Sequence, residues 1–298
     1  MLRLKCGGRA CNARRDMLKL IGILICVLFI PLLSAYASGG SGRITRYVRY
    51  SFGGHISYGV LEGETLRELS GDFLAGGTPT GKTRRLTEVR LLAPCVPSKV
   101  IAVGLNYKSH LGSRPAPEYP GIFTKLPTAI IGPEDLIVFP PGAEDVHYEG
   151  ELVAVIGKKA HKISPSEAPG YVFGVTAGND VSERKWQKAD LQWFRAKGSD
   201  TFGPLGPAVV QGLNYKDLKL ETRLNGEVRQ SQRTSDLLFG VDEIVSYVSQ
   251  FVTLLPGDLI YTGTPGSTTA MKPGDVVEVE LEGVGVLRNE VAAGPATR

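Results

Sequence analysis

Apolar residues along this chain come in short Val/Ile-rich runs broken by glycine and proline, and few segments sustain a 3.6-residue apolar period. The alternating or continuous runs predict strands at Ile44 to Tyr50, Ser57 to Leu61, Leu152 to Ile156, Leu218 to Leu224, Asp258 to Thr262 and Val276 to Leu281. Two helices are predicted. One, Ser182 to Asp190, is amphipathic and polar; the other, Val241 to Phe251, puts Val241, Ile244, Val245, Val248 and Phe251 on one face, the period of a core helix. The pattern predicts a mainly β fold with short helices, a β-roll and not a doubly wound α/β sheet. Glycine-rich turns at Gly53-Gly54 and Gly76-Gly77 and the proline-bearing stretch Ala93 to Ser98 divide it. Residues 38–97 read as a small β-rich N-terminal domain with its linker, and residues 98–298 as the domain that carries the chemistry.

The first 37 residues have another pattern. A nearly unbroken apolar run from Leu20 to Leu33 follows a basic head and precedes Ala35-Tyr36-Ala37, the layout of a cleavable export signal. The run is shorter than the roughly 20 residues of a comfortable bilayer span, so no permanent membrane span is expected. Arg14-Arg15, followed by Met17, Leu18 and Lys19, resembles a bacterial twin-arginine signal and predicts a periplasmic location, although a start at Met17 would remove the pair. Six basic residues against Asp16 give this leader a charge of +5. With +4 for the whole chain, the remainder is close to −1, which excludes a nucleic-acid partner on charge grounds. Three of the four cysteines also fall in the leader; Cys95 alone cannot form an internal disulfide and reads as a small buried residue.

Candidate chemistry starts where a strand turns hydrophobic. In Asp145-Val146-His147-Tyr148-Glu149-Gly150-Glu151 the two glutamates at i and i+2 share one face of a strand whose continuation, Leu152 to Ile156, reads as buried on both faces. Two like charges so placed need a shared proton or a cation, unless the strand is a solvated edge. Asp180 ends a second apolar strand at an Asn-Asp turn and is expected at the same mouth, while Lys197 sits in a Gly/Ser loop able to complement surplus acid. Three carboxylates without a neighbouring cysteine point to a hard divalent cation, Mg²⁺ or Mn²⁺ before Ca²⁺ or Zn²⁺. His147 shares the acids' face and is read as a supporting or packing residue.

Six short motifs in order make the chain resemble the fumarylacetoacetate hydrolase superfamily. They are Val103 to His110, Phe123 to Pro127, His147 to Leu152, Gly178 to Ser182, Lys197 to Asp200 and Tyr261 to Pro265. The resemblance implies a mixed β-roll that forms homodimers, with a divalent metal held by Glu149, Glu151 and Asp180. It implies a small 2-oxo or β-diketo acid as substrate, Lys197 beside metal and substrate, Thr264 on the substrate carboxylate with Lys125 and Tyr107 as further substrate contacts, and His110 as general base on a closing loop. The chain departs from the hydrolases at Ser113, where they carry a Glu that orients the histidine; Glu118 is the next acid and is expected to fold back in its place. The resulting expectation is metal-dependent C–C bond hydrolysis of an acylpyruvate-type substrate. The alternatives are decarboxylation, isomerisation or hydration of an oxo acid in the same fold, or a non-catalytic protein that binds metal or oxo acid.

Overall fold

The computed structural model describes residues 43–294, so the predicted export signal over 1–37 lies outside the described residues. The architecture is two large sheets, a two-stranded pairing of Val146–His147 with Ser182–Glu183, and a few short helices. The larger sheet runs Pro79–Arg85, Thr65–Leu69, His55–Glu62, Thr45–Phe52, Gly203–Gln211, Val172–Asn179, Gly150–Ile156, Leu259–Tyr261, Val100–Gly104, Gly121–Lys125. It is mixed: Leu259–Tyr261 pairs parallel to Val100–Gly104, whereas its pairing with Gly150–Ile156 is antiparallel. The second sheet is built on Glu227–Arg233, Lys219–Leu224, Val276–Leu281 and Gly285–Ala292.

All seven residues of Gly150–Ile156 are buried, as the unbroken apolar run predicts. Its two faces serve different cores. Leu152, Ala154 and Ile156 pack with Leu220, Val279 and Leu281 of the second sheet, while Val153 and Val155 pack with Leu205, Leu259 and Tyr261 on the opposite side. The helix Val241–Ser249 closes the first of these cores with Ile244, Val245 and Val248, each worth about 1.5–3 kcal/mol when fully withdrawn from water. Phe251, expected on that buried face, is 72% exposed, because the helix ends at Ser249 and the chain turns before reaching it.

The N-terminal strands extend the larger sheet. Thr45–Phe52 pairs with His55–Glu62 on one edge and with Gly203–Gln211 on the other, and Leu69, Phe73 and Cys95 join the core that holds Val153 and Tyr261. Other differences are at boundaries. The helix predicted from Ser182 begins at Arg184, because the Glu183 carboxylate accepts the Trp186 N–H and caps it. Among the described residues no helix is long and apolar enough to cross a membrane.

Close packing around the acid-bearing strand dictates its glycines. A Cβ on Gly150 would stand 2.0 Å from Thr222 Oγ1, and one on Gly178 would stand 2.4 Å from Val153 Cγ2 and 2.6 Å from Tyr261 Cε1. Gly178→Ala is therefore expected to destabilise by about 1–3 kcal/mol, the usual range for overpacking. Gly170→Ala, where a Cβ meets nothing within 4 Å, is expected to change stability by less than about 0.5 kcal/mol. Urea unfolding of the two variants checks the contrast, and equal effects would show that the packing reading is wrong.

Candidate active site

The antiparallel register that sets Gly150 opposite Asn179 brings Glu149 and Asp180 face to face. The Asp180 N–H donates to the Glu149 carbonyl at 2.8 Å, and the Asn179 side chain accepts the Glu149 N–H at 2.8 Å. Glu149 and Glu151 project on the Val153 side, away from the second sheet, which closes on Gly150. The third wall is the segment after Leu259–Tyr261. Gly263 donates its N–H to Glu151 Oε2 at 2.7 Å, and Thr264 donates its hydroxyl to the Gly150 carbonyl at 2.9 Å. Gly263 has φ 105° and a Cβ there would meet Asn106 Cβ at 2.8 Å, so glycine is required at this donor.

Glu149, Glu151 and Asp180 are all buried and each offers one carboxylate oxygen within 4.8 Å of the others. Three cationic side chains compensate them. Lys197 Nζ donates to Glu149 Oε2 at 2.7 Å and Asp180 Oδ2 at 2.5 Å, Lys125 Nζ donates to Asp180 Oδ1 at 2.6 Å, and Arg184 donates to Glu149 Oε1 at 2.6 Å. Titration follows this geometry. Burial alone would raise the Glu149 carboxyl, but Lys197 and Arg184 outweigh it and hold it well below the usual carboxylate range. Burial pushes the Glu151 carboxyl well above that range, with the charges of Asp180 and Glu149 adding to the effect. Burial opposes the Lys197 ammonium too, yet Asp180 and Glu149 raise it overall. An all-oxygen donor set in which one carboxyl is pushed up by burial and by its neighbours' charges suits a hard divalent cation, which would relieve the repulsion.

Two of these acids, Glu149 and Asp180, line a cavity of about 580 Å³, and Glu151 does not reach its wall. His110, Lys197 and Thr264 line it, together with His147. His110 lies on the short helix Lys108–Leu111. Its Nδ1 contacts the Gly266 carbonyl oxygen, and because a carbonyl only accepts, Nδ1 carries the proton. Nε2 then faces Glu149 Oε1 at 3.8 Å. His147 is held by Asp145 and Thr268, both at 2.9 Å.

Three expected roles are corrected. Glu118 is exposed and among the described residues pairs with nothing, so the Gly266 carbonyl, not an acid from the loop, orients His110. Lys125 is 1% exposed and bonded to Asp180 and the Lys197 carbonyl, behind the acids and off the cavity wall. Tyr107 is wholly buried and likewise does not line the cavity; burial pushes its phenol up, with the Glu151 charge adding to the effect. Thr264 lines it, but its hydroxyl proton is committed to Gly150 and its oxygen accepts from Gln230 at 2.8 Å.

Sequence reasoning missed Arg184, Gln187 and Lys188, which line the cavity from the helix Arg184–Ala189. The available signal was the position of Arg184 four residues after Asp180, at the head of a polar helix. Glu183 places it: this buried carboxylate caps the helix and accepts the Asp145 N–H at 2.8 Å, tying the helix to the strand that leads to Glu149.

Because the folded Glu151 carboxyl binds its proton more tightly than the unfolded chain's, which titrates near about 4.3, its contribution to stability falls as pH rises above that value. Metal-free Glu151→Gln is thus expected to melt no lower than the parent at pH 7 and to lose less stability between pH 5 and 7. Calorimetric titration should show its Mn²⁺ affinity reduced at least about tenfold. Unfolding of the metal-free variant would make the acid a structural group.

Residues 99–292 match the family described as fumarylacetoacetate (FAA) hydrolase, C-terminal, and residues 45–94 match the Rv2993c-like, N-terminal family. Protein Rv2993c of Mycobacterium tuberculosis is 44% identical over 249 residues, covering 79% of this chain and 94% of that protein. The human mitochondrial oxaloacetate tautomerase FAHD2A is 43% identical over 220 residues, covering 69% of this chain and 70% of that protein. The crystal structure of 5-carboxymethyl-2-hydroxymuconate delta-isomerase from Mycobacterium smegmatis matches with a TM-score of 0.80 at 43% identity, covering 84% of this chain and all of that one. Two thirds of the chain, including every acid and cation that surrounds the cavity, therefore belongs to the fumarylacetoacetate hydrolase family.

Proposed function

We propose that the protein is a divalent-metal-dependent enzyme that moves a proton on the carbon beside the keto group of a small 2-oxo acid, a tautomerase or isomerase and not a C–C hydrolase. The carrying observation is His110: its ring is oriented by the Gly266 carbonyl with Nε2 turned toward the acids, and no carboxylate backs Nδ1. A base held this way suits abstraction of a carbon-bound proton that the neighbouring keto group already acidifies. Activation of water draws more on a carboxylate partner that would stabilise the imidazolium. The similarity to an oxaloacetate tautomerase and to a delta-isomerase supports the same reading.

Glu149, Glu151 and Asp180 would hold Mg²⁺ or Mn²⁺. Such an ion, when bound, supplies Lewis-acid polarisation of a keto oxygen. The residues of the chain do the rest. His110 Nε2 accepts the proton from the substrate carbon and returns it to the other end of the enol system. Lys197 keeps a buried ammonium, paired with Glu149 and Asp180, where negative charge develops. Arg184, joined to Glu149 Oε1 and to Thr268 Oγ1 at 2.8 Å, holds the Glu149 carboxylate in one orientation. Phe123 and Trp193, packed edge to face at 5.2 Å, form an apolar wall of the cavity that limits water. The leader supports export to a bacterial periplasm, and an exposed apolar surface carrying Tyr119, Ile122, Phe251 and Val252 supports a homodimer.

In D₂O with Mn²⁺, the protein is expected to exchange the C3 protons of oxaloacetate and to speed its keto–enol conversion, followed by NMR and ultraviolet absorbance. His110→Asn should slow both by about 10²–10⁴-fold while leaving Mn²⁺ affinity within a few-fold. Cleavage of an acylpyruvate without any such exchange would restore the hydrolase reading, and no turnover of any oxo acid with metal binding intact would sink the enzyme reading altogether.

A further inference from the structure

Among the described residues two histidines line the cavity, and His147 has both ring nitrogens engaged. Its Nε2 lies 2.9 Å from Asp145 Oδ1 and its Nδ1 lies 2.9 Å from Thr268 Oγ1. The Asp145 carboxylate only accepts, so Nε2 donates to it. A guanidinium only donates, so Thr268 Oγ1 accepts from Arg184 Nη2 at 2.8 Å, and the hydroxyl proton is left for His147 Nδ1. The other hydrogen of that Nη2 goes to Glu149 Oε1 at 2.6 Å. One chain of hydrogen bonds thus runs from Asp145 through His147, Thr268 and Arg184 to Glu149.

Backbone pairing brings the members within reach. His147 lies opposite Ser182 in the pairing of Val146–His147 with Ser182–Glu183 and also bridges to Ala270, while the Arg184 N–H donates to the Asp145 carbonyl at 2.8 Å. Three segments, carrying His147, Arg184 and Thr268, therefore meet where the chain leads into Glu149. Charge alone does not fix Arg184 there, because a planar guanidinium offers a carboxylate several N–H donors and can pivot between them. Nη1 donates to Gln187 Oε1 at 2.8 Å, and Thr268 supplies the further contact that sets the plane. Glu149 Oε1, the oxygen held in this way, is also the one that His110 Nε2 faces at 3.8 Å. What fixes Arg184 thereby fixes the spacing of the acid from the base.

Resting on the metal-dependent reading above, we propose that His147 and Thr268 are positioning residues that hold Arg184 against Glu149 Oε1, so that this carboxylate keeps one orientation for a divalent cation and one distance from His110. His147 is not a second base, since its ring nitrogens are committed to Asp145 and Thr268. Its place on the cavity wall follows from the chain it belongs to.

Calorimetric titration with Mn²⁺ tests this without any substrate. Thr268→Val, which keeps the shape of the half-buried side chain and removes its hydroxyl, is expected to lower Mn²⁺ affinity by about tenfold, as for other groups that orient a metal-binding side chain. Thr268→Ser, which keeps the hydroxyl, should restore the affinity. His147→Phe should lose as much as Thr268→Val, and the double variant no more than either, because both break the same chain. The electron paramagnetic resonance spectrum of bound Mn²⁺, which reads ligand geometry, should change alike in Thr268→Val and His147→Phe and not in Thr268→Ser. Melting curves of the metal-free variants verify folding, and the Thr268 pair decides alone if His147→Phe does not fold. Additive losses, or parent-like affinity and spectrum in Thr268→Val, overturn this inference and leave the metal reading intact. Loss of oxaloacetate proton exchange in His147→Phe with Mn²⁺ affinity and spectrum unchanged makes His147 a base and overturns it as well. A parent that binds no Mn²⁺ overturns both.

Discussion

Everything at the site depends on keeping three carboxylates buried with oxygens within 4.8 Å of one another. Coulomb repulsion between groups so close in a low-dielectric interior is strong, and burial adds to the cost of each ionised form. The protein answers with counter-charges of two kinds. Lys125 and Lys197 approach from behind and beside Asp180, and Arg184 fixes the far oxygen of Glu149. Glu151 is left outside this set of ion pairs. Its partner is a backbone N–H from Gly263, which does not neutralise charge, so this carboxyl alone is pushed up while Glu149 is held down. The asymmetry leaves Glu151 as the one acid without a side-chain counter-charge, the one that a proton or a bound cation would neutralise.

Holding the acids there is a packing problem before it is an electrostatic one. The strand that bears them is covered on both sides, so its residues can neither twist outward nor slip in register without moving two cores. Gly150 and Gly178 let neighbouring side chains approach to the backbone itself, and Asn106 ties the histidine segment to the acid wall by donating to the carbonyls of Thr262 at 2.7 Å and Phe239 at 3.0 Å. Fold and chemistry are therefore joined at the same residues.

Period-two alternation, the unbroken run after Glu151 and the 3.6-residue period of Val241 to Val248 all survive in the structure, because each reports burial of a side chain by its immediate surroundings. The three acids and Lys197 were legible for a related reason: like charges at the head of a buried strand demand compensation. Residues whose roles depend on distant partners were not legible. Lys125 reads in sequence as a substrate contact but folds behind Asp180. Periodicity does not record where the chain leaves the helix Val241–Ser249, and so Phe251 was placed inside. The N-terminal strands read as a separate unit because turns delimit them, whereas the edge they share with Gly203–Gln211 lies some 160 residues away in sequence. Arg184 and Lys188 stand in sequence on a polar helix with nothing to mark them for the site, and it is Glu183 that caps that helix against it.

His110 shows how a missing residue is replaced by tertiary structure. With Ser113 where a carboxylate is expected, the ring would be free to rotate unless something else bound Nδ1. The Gly266 carbonyl does so, and Gly266 is in turn held by its own N–H donating to Ser109 Oγ at 3.0 Å, one residue before the histidine. The two segments thus lock each other through a reciprocal pair of hydrogen bonds, and Ser109 Oγ also donates to Gln232 Oε1 at 2.6 Å. A carbonyl fixes the tautomer as well as a carboxylate would, but carries no full charge to stabilise an imidazolium. The geometry of the base is kept, and Glu149 is left as the carboxylate nearest the ring. Such a change is tolerable where the keto group and the surrounding cations already make the substrate proton acidic, and is least tolerable where water must be deprotonated.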